Sequence, residues 1–283
     1  MLRTDTDPPT FESGSLVPVA TYLLVIAVLS GLTLVSAGTP PPPLLAVGWS
    51  AFLVVLAIGV LKIEDVSPRS ILPPARTLIP VIGVLVAFWA LYNLVAFALA
   101  LGGVHGFEAT RSRTAIHPLS YLLALLSSFL ITAIPEELVF RSYLQQKLIA
   151  LIGGQTRHAV VSSIVIVAVL FALFHLPRWF LASGHGVSVA LVGRLVGLTL
   201  MGLTYGVVYA LTRNLWLVAL FHATMNHPPV LVTVSIPSDL HLVAAVIEYA
   251  AIISVVYLTV RVTEPDRTTL VLPRQATASS MDD

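Results

Sequence analysis

Cysteine is absent from the 283 residues, which excludes disulfides and thiolate metal sites. Charge is scarce. Asp, Glu, Lys and Arg make up 10% of the chain, where a soluble domain carries about a quarter. The formal net charge of +1 gives no bulk attraction to nucleic acid. Three catalytic signatures are also missing. There is no H-E-x-x-H zinc motif and no G-x-S-x-G nucleophile turn, and no Asp lies within an apolar run. These gaps count against serine-type and aspartyl-type proteolysis.

What is present is hydrocarbon. Hydrophobic residues make up 57% of the chain and the mean hydropathy is +0.93. Runs of about 20 apolar residues are long enough to cross a bilayer core. Eight such runs are expected: Leu16–Ser36, Leu44–Leu61, Leu78–Leu101, one from Leu119 through Pro135 to Gly153-Gly154, one from Ala159 past His175, Val187–Leu211, Leu215–Val234 and Leu242–Val260. The first is long and follows a segment as acidic as it is basic, so it reads as a span and not as a cleaved signal. The fold class is therefore all-α, a polytopic membrane bundle of about eight helices.

Lys and Arg set the orientation. With an even number of spans, one side holds Arg3, Lys62, Arg69, Arg76, Lys147, Arg157, Arg213, Arg261, Arg267 and Arg274, and the other holds Arg111, Arg113 and Arg178. Both termini are expected in the cytosol. The proline-rich connection Ala37–Pro43 then lies outside.

Ionisable side chains inside spans are costly and mark function. The fourth run carries Glu136, Glu137 and Arg141, the fifth Phe171 and His175, and the seventh His222, Asn226 and His227. Glu137 and Arg141 are four apart and can pair on one helix face. Glu136, rotated by about 100°, is the freer carboxylate. His222 and Asn226 share a face, while His227 precedes two prolines and points elsewhere. Glu136 lies 18 residues before Gly154 and His175 lies 21 after it, so both sit about 27–31 Å from the turn. His222, about 12 Å past Asn214, matches that depth if the hairpin projects into the cytosol on Gln145, Gln146, Lys147, Arg157 and His158. Each residue alone has a plainer reading as an interfacial or packing group. Together they form three polar exceptions on separate helices, two of them at matching height. Glu248, Arg194 and His185 read as structural or interfacial.

The ordered set E-E-x-x-x-R, F-x-x-x-H and H-x-x-x-N resembles the CPBP family of CAAX proteases and bacteriocin-processing enzymes, also called Abi, which includes the Ras-converting CAAX endopeptidases. The likeness covers roughly Ser120 to Pro229, with T-x-N-L-W at Thr212–Trp216 leading into the third motif. The resemblance implies an intramembrane endopeptidase acting on a membrane-associated or lipidated substrate. Glu136 and His175 would activate water, and His222 and Asn226 would donate to the oxyanion, with Glu137, Arg141 and Phe171 as structural support. Metal dependence is left open. If zinc is used, Glu136, His175 and His222 are the ligands, with an unassisted glutamate-activated water as the favoured alternative.

The expected partners are membrane lipids and the substrate, with no nucleic acid. A non-catalytic membrane scaffold or immunity protein is the rival reading, with a proton-coupled transporter behind it. The expected organisation is a disordered tail over 1–14, membrane helices over 15–118, a catalytic core over 119–234, a last helix over 235–262 and a disordered tail over 263–283.

Overall fold

A computed structural model describes residues 2, 9–12, 14–36 and 42–264. The 37–41 connection and residues 265–283, which hold most of the expected C-terminal tail, lie outside the described residues, as do residues 1, 3–8 and 13 of the expected N-terminal tail. The described residues form a bundle of eight principal helices: α1 (Leu16–Val35), α2 (Pro43–Ile63), α3 (Leu78–Leu101), α4 (Pro118–Ile152), α5 (Arg157–Leu173), α6 (Val189–Thr212), α7 (Leu215–Asn226) and α8 (His241–Thr263). Beyond α5 the chain continues through a π turn at Arg178–Ala182, giving one apolar stretch over Arg157–Ala182. Seven of the helices are long and apolar enough to cross a membrane. This is a multi-pass membrane protein.

The hydroxyls of the first spans bond back to their own helix. Thr21 donates to the Val17 carbonyl at 2.8 Å and Thr33 to the Leu29 carbonyl at 2.8 Å. That pairing lets a polar side chain sit in an apolar span. Helices α5, α6 and α7 begin at side-chain caps. Thr156 accepts from the Ala159 amide at 3.2 Å, Ser188 from Leu191 at 3.4 Å, and Asn214 from Trp216 at 3.1 Å. Such oxygens satisfy amides that have no partner within the helix. The T-x-N-L-W stretch is therefore a helix end and a capped start: Arg213 takes φ 50° and Asn214 opens α7.

The expected seventh span, Leu215–Val234, is corrected. Its helix stops at Asn226 after 12 residues, about 18 Å, too short to cross alone. His227-Pro228-Pro229 ends it, because proline supplies no amide donor. The chain then runs on to β2 (Val232–Val234), which pairs antiparallel with β1 (Phe107–Arg111) beyond the end of α3. This small sheet has no signature in the sequence reading. Asn93 of α3 closes the gap. Its Nδ2 donates to the Pro229 carbonyl at 2.9 Å and its Oδ1 accepts from the Leu231 amide at 2.6 Å. Irregular backbone at membrane depth is tolerated where protein groups satisfy it. Gly106 lets the two segments touch: at φ 90°, a Cβ there would lie 2.7 Å from the Ser235 carbonyl oxygen.

At the opposite end, α2, α4 and the start of α7 meet. Lys147 pairs with Glu64 at 2.8 Å, Tyr143 donates to Glu64 at 3.2 Å, and the Trp216 indole donates to the Pro73 carbonyl at 2.9 Å. Leu2 is buried here, and its carbonyl accepts from Asn214 Nδ2 at 2.9 Å. Gln145, Gln146 and Lys147 are buried too, with Gln145 donating to the Gly206 carbonyl at 3.1 Å. They are packing groups between helices. Only Arg157 and His158 of the expected projecting set are exposed.

Candidate active site

The site forms where α4 and α7 cross. α4 is 35 residues long, and Glu136 and Glu137 lie near its midpoint. It turns π-helical on both sides of them, over Ser128–Ala133 and Leu138–Gln145. A π turn advances each residue by a smaller angle than an α turn, and such bulges recur at functional sites.

Glu137 Oε2 lies 3.1 Å from Arg141 Nε, the pair expected from the spacing, with both side chains fully buried. Its other oxygen was not anticipated. Oε1 lies 2.8 Å from His222 Nδ1. Glu136 Oε2 lies 3.8 Å from His222 Nε2 and has no hydrogen-bond partner among the described residues. Neighbouring carboxylates, expected on different faces of α4, thus address the two nitrogens of one imidazole. Glu137 serves Arg141 and His222 together.

The aromatic residues complete the frame. The Arg141 guanidinium carbon lies 5.1 Å from the centre of the Phe171 ring, a cation–π contact that favours a buried cation. Phe171 meets His175 edge-on at 5.0 Å and His222 at 6.0 Å, so both histidines share one aromatic neighbour. His175 Nδ1 lies 2.9 Å from the Phe171 carbonyl. An N–H there donates to that oxygen and leaves Nε2 as the free ring nitrogen. His175 is half-buried just beyond the end of α5, its ring edge-on to the buried Phe171 and Phe174.

Asn226 is placed at the exposed C-terminal end of α7, and its Nδ2 lies 3.4 Å from Ser128 Oγ on α4. His222 and Asn226 thus both face α4, one turn apart. His227 is exposed. The residues missed in the sequence are Ser128, Asn93 and Tyr205, whose ring stacks on His222 at 5.4 Å. Hydroxyl, amide and phenol side chains are common in apolar helices, and nothing in their spacing marks these three.

The conditional zinc set is Glu136, His175 and His222. Among the described residues no group of three His, Cys, Asp or Glu side chains is arranged to hold a metal ion. His222 Nδ1 is taken by Glu137, which leaves Nε2 as its second ring nitrogen.

Residues 117–227 match the family model described as type II CAAX prenyl endopeptidase, Rce1-like. Over this stretch the chain is similar to the CAAX prenyl endopeptidases. The match starts just before α4 and ends at the residue after α7, so it encloses Glu136, Glu137, Arg141, Phe171, His175, His222 and Asn226. Helices α1, α2, α3 and α8 lie outside it. No curated protein and no solved structure matches the chain.

A cavity of about 370 Å³ lies between α3 and α8, lined by apolar side chains with Glu248 as its one charged wall. Phe88 on its inner wall packs edge-on against Phe221 at 5.5 Å, one residue from His222.

Proposed function

We propose that this protein hydrolyses a peptide bond of a lipidated, membrane-held substrate by means of a glutamate-activated water. The observation that carries the reading is the buried cluster in which Glu136 faces His222 while Glu137 holds it. Glu136 is the base. A buried carboxylate whose Oε2 has no donor among the described residues is suited to take a proton from water. His175, with Nε2 free, is the second group addressing that water.

His222 carries the opposite role. With both nitrogens protonated it donates Nδ1–H to Glu137 and keeps Nε2–H for the oxyanion of the tetrahedral intermediate. Asn226, one turn on, offers its amide N–H to the same oxygen. Donors fixed before the charge develops lower the barrier without reorganising. Arg141 pairs with the other oxygen of Glu137 at 3.1 Å and so holds the acceptor for Nδ1–H in place. The proton taken by Glu136 passes to the leaving amine, which closes the cycle.

The apolar cavity beside Phe88 and Phe221 supports a lipid-bearing substrate, since it offers hydrocarbon-lined space next to α7. The ten-to-three distribution of basic residues supports cytosolic termini. The even number of crossings, counting α7 with its extended continuation as one, keeps both ends on one side.

The test is cleavage of a prenylated C-terminal C-a-a-X peptide by the purified protein in lipid vesicles. Wild-type protein should release the terminal tripeptide, and Glu136→Gln should release none. Equal release by both would end the proposal. Activity unaffected by a strong zinc chelator is expected. Loss of activity on chelation, restored by zinc, would reject the unassisted glutamate mechanism.

A further inference from the structure

α6 approaches α5 at two glycines. A Cβ on Gly202 would lie 2.8 Å from Ala168 Cα, and one on Gly206 would lie 2.9 Å from Ile164 Cγ2 and 3.2 Å from Gln145 Oε1. Neither position has room for a methyl group, so the small-xxx-small spacing sets how closely α6 can lie. Between the two glycines stands Tyr205, fully buried. Its ring lies nearly parallel to the His222 imidazole, with centroids 5.4 Å apart and 28° between planes. The Arg141 guanidinium carbon lies 6.0 Å from the same ring centre. The Tyr205 hydroxyl makes no hydrogen bond to another described residue.

We propose that Tyr205 is a positioning residue for His222, its ring fixing the plane of the imidazole. The hydrogen bond from Nδ1 to Glu137 fixes one atom of that ring. Rotation about the bond to the ring would carry Nδ1 off its acceptor, but the tolerance of hydrogen-bond angles still leaves a swing of roughly tens of degrees. Stacking on Tyr205 and the edge contact with Phe171 at 6.0 Å remove that freedom. Nε2 is thereby held towards Glu136, where the developing oxyanion must be met. The ring is what matters, since the hydroxyl has no hydrogen-bond partner among the described residues. This inference rests on the reading of His222 as an oxyanion donor. It assigns a role to a residue on the apolar helix α6 that lies outside the three polar motifs.

The experiment compares Tyr205→Phe, Tyr205→Leu and His222→Gln. Peptide cleavage gives kcat and KM, and proton NMR follows the carbon-bound imidazole protons of His222, identified by their loss in His222→Gln. Tyr205→Phe should keep kcat within about twofold, because the stack survives. Tyr205→Leu should lower kcat by roughly 10- to 100-fold with KM nearly unchanged, the scale expected when a reacting group is displaced by about 1 Å. The His222 signals, shielded by the stacked ring, should move downfield in Tyr205→Leu and stay in place in Tyr205→Phe. If the Leu variant does not survive purification, Tyr205→Met replaces it with the same expectations. Full kcat in Tyr205→Leu beside an inactive His222→Gln overturns the inference and leaves the proposed function standing. Turnover by His222→Gln overturns the reading of the site and the inference with it.

Discussion

The outer helices and the central ones solve the membrane problem in opposite ways. In α1 and α8, 22% and 17% of the apolar stretch is buried inside the protein, against 50% in α5 and α6. The outer helices present apolar side chains on every side and keep their few hydroxyls bonded to their own carbonyls, as Thr21, Thr33, Ser254 and Thr259 do. The central helices turn inward, and there the protein replaces lipid as the surroundings. Glu136, Glu137, Arg141 and His222 are all buried in that interior. A charge in a bilayer is tolerated where other protein groups surround and pair it. The family match falls on this inner layer, over 117–227, and leaves α1, α2, α3 and α8 as its casing.

The largest effect that would sharpen the contrast is expected at Glu136. Replacing it by Gln removes the base and should lower turnover by about 10²–10⁴-fold. The melting temperature in detergent should stay near that of the wild type, because Glu136 holds up no other described side chain. An active Glu136→Gln would mean that the inner cluster is packing, as the outer layer is.

Glu137→Gln should behave differently. It breaks a buried ion pair with Arg141, which costs roughly 3–5 kcal/mol, and it leaves only a neutral amide oxygen, a weaker acceptor, to orient His222. Both melting temperature and turnover should fall. The double variant Glu137→Gln with Arg141→Met should regain stability, since no lone buried charge remains, but it should not regain turnover. Recovery of both would restrict Glu137 to the role of anchor that its spacing to Arg141 implies.

A smaller loss is expected at Asn226, where Asp keeps the size but replaces a donor with an acceptor. Removal of one oxyanion donor costs about 10²–10³ in rate. Full activity in Asn226→Asp that a chelator abolishes would point to a metal ligand instead. The smallest effect belongs to the casing. Leu94 of α3 is 65% exposed on the outer face, and Leu94→Ala should change stability by about 0.5 kcal/mol or less and leave the cleavage rate alone. A large loss there would show that the outer layer carries function.

The sequence by itself determined the class and the inventory. Apolar runs of bilayer length appear without any three-dimensional information, and seven of the eight expected spans stand as long helices. The Glu137–Arg141 pair was legible because residues four apart on a helix must be neighbours. The matched family followed from the order of three polar motifs.

The tertiary structure alone decided who meets whom. Nothing local says that Glu137 reaches His222 across 85 residues, that Tyr205 stacks on that imidazole, or that Asn93 of α3 receives the backbone that follows α7. In a lipid-soluble helix nearly every face is apolar, so hydrophobic periodicity cannot tell the lipid side from the partner side. Which faces meet is set by the crossing of helices, by the glycines that let α6 close on α5, and by π turns that rotate Glu136 and Glu137 towards one ring. Those are properties of contacts between segments distant in the chain.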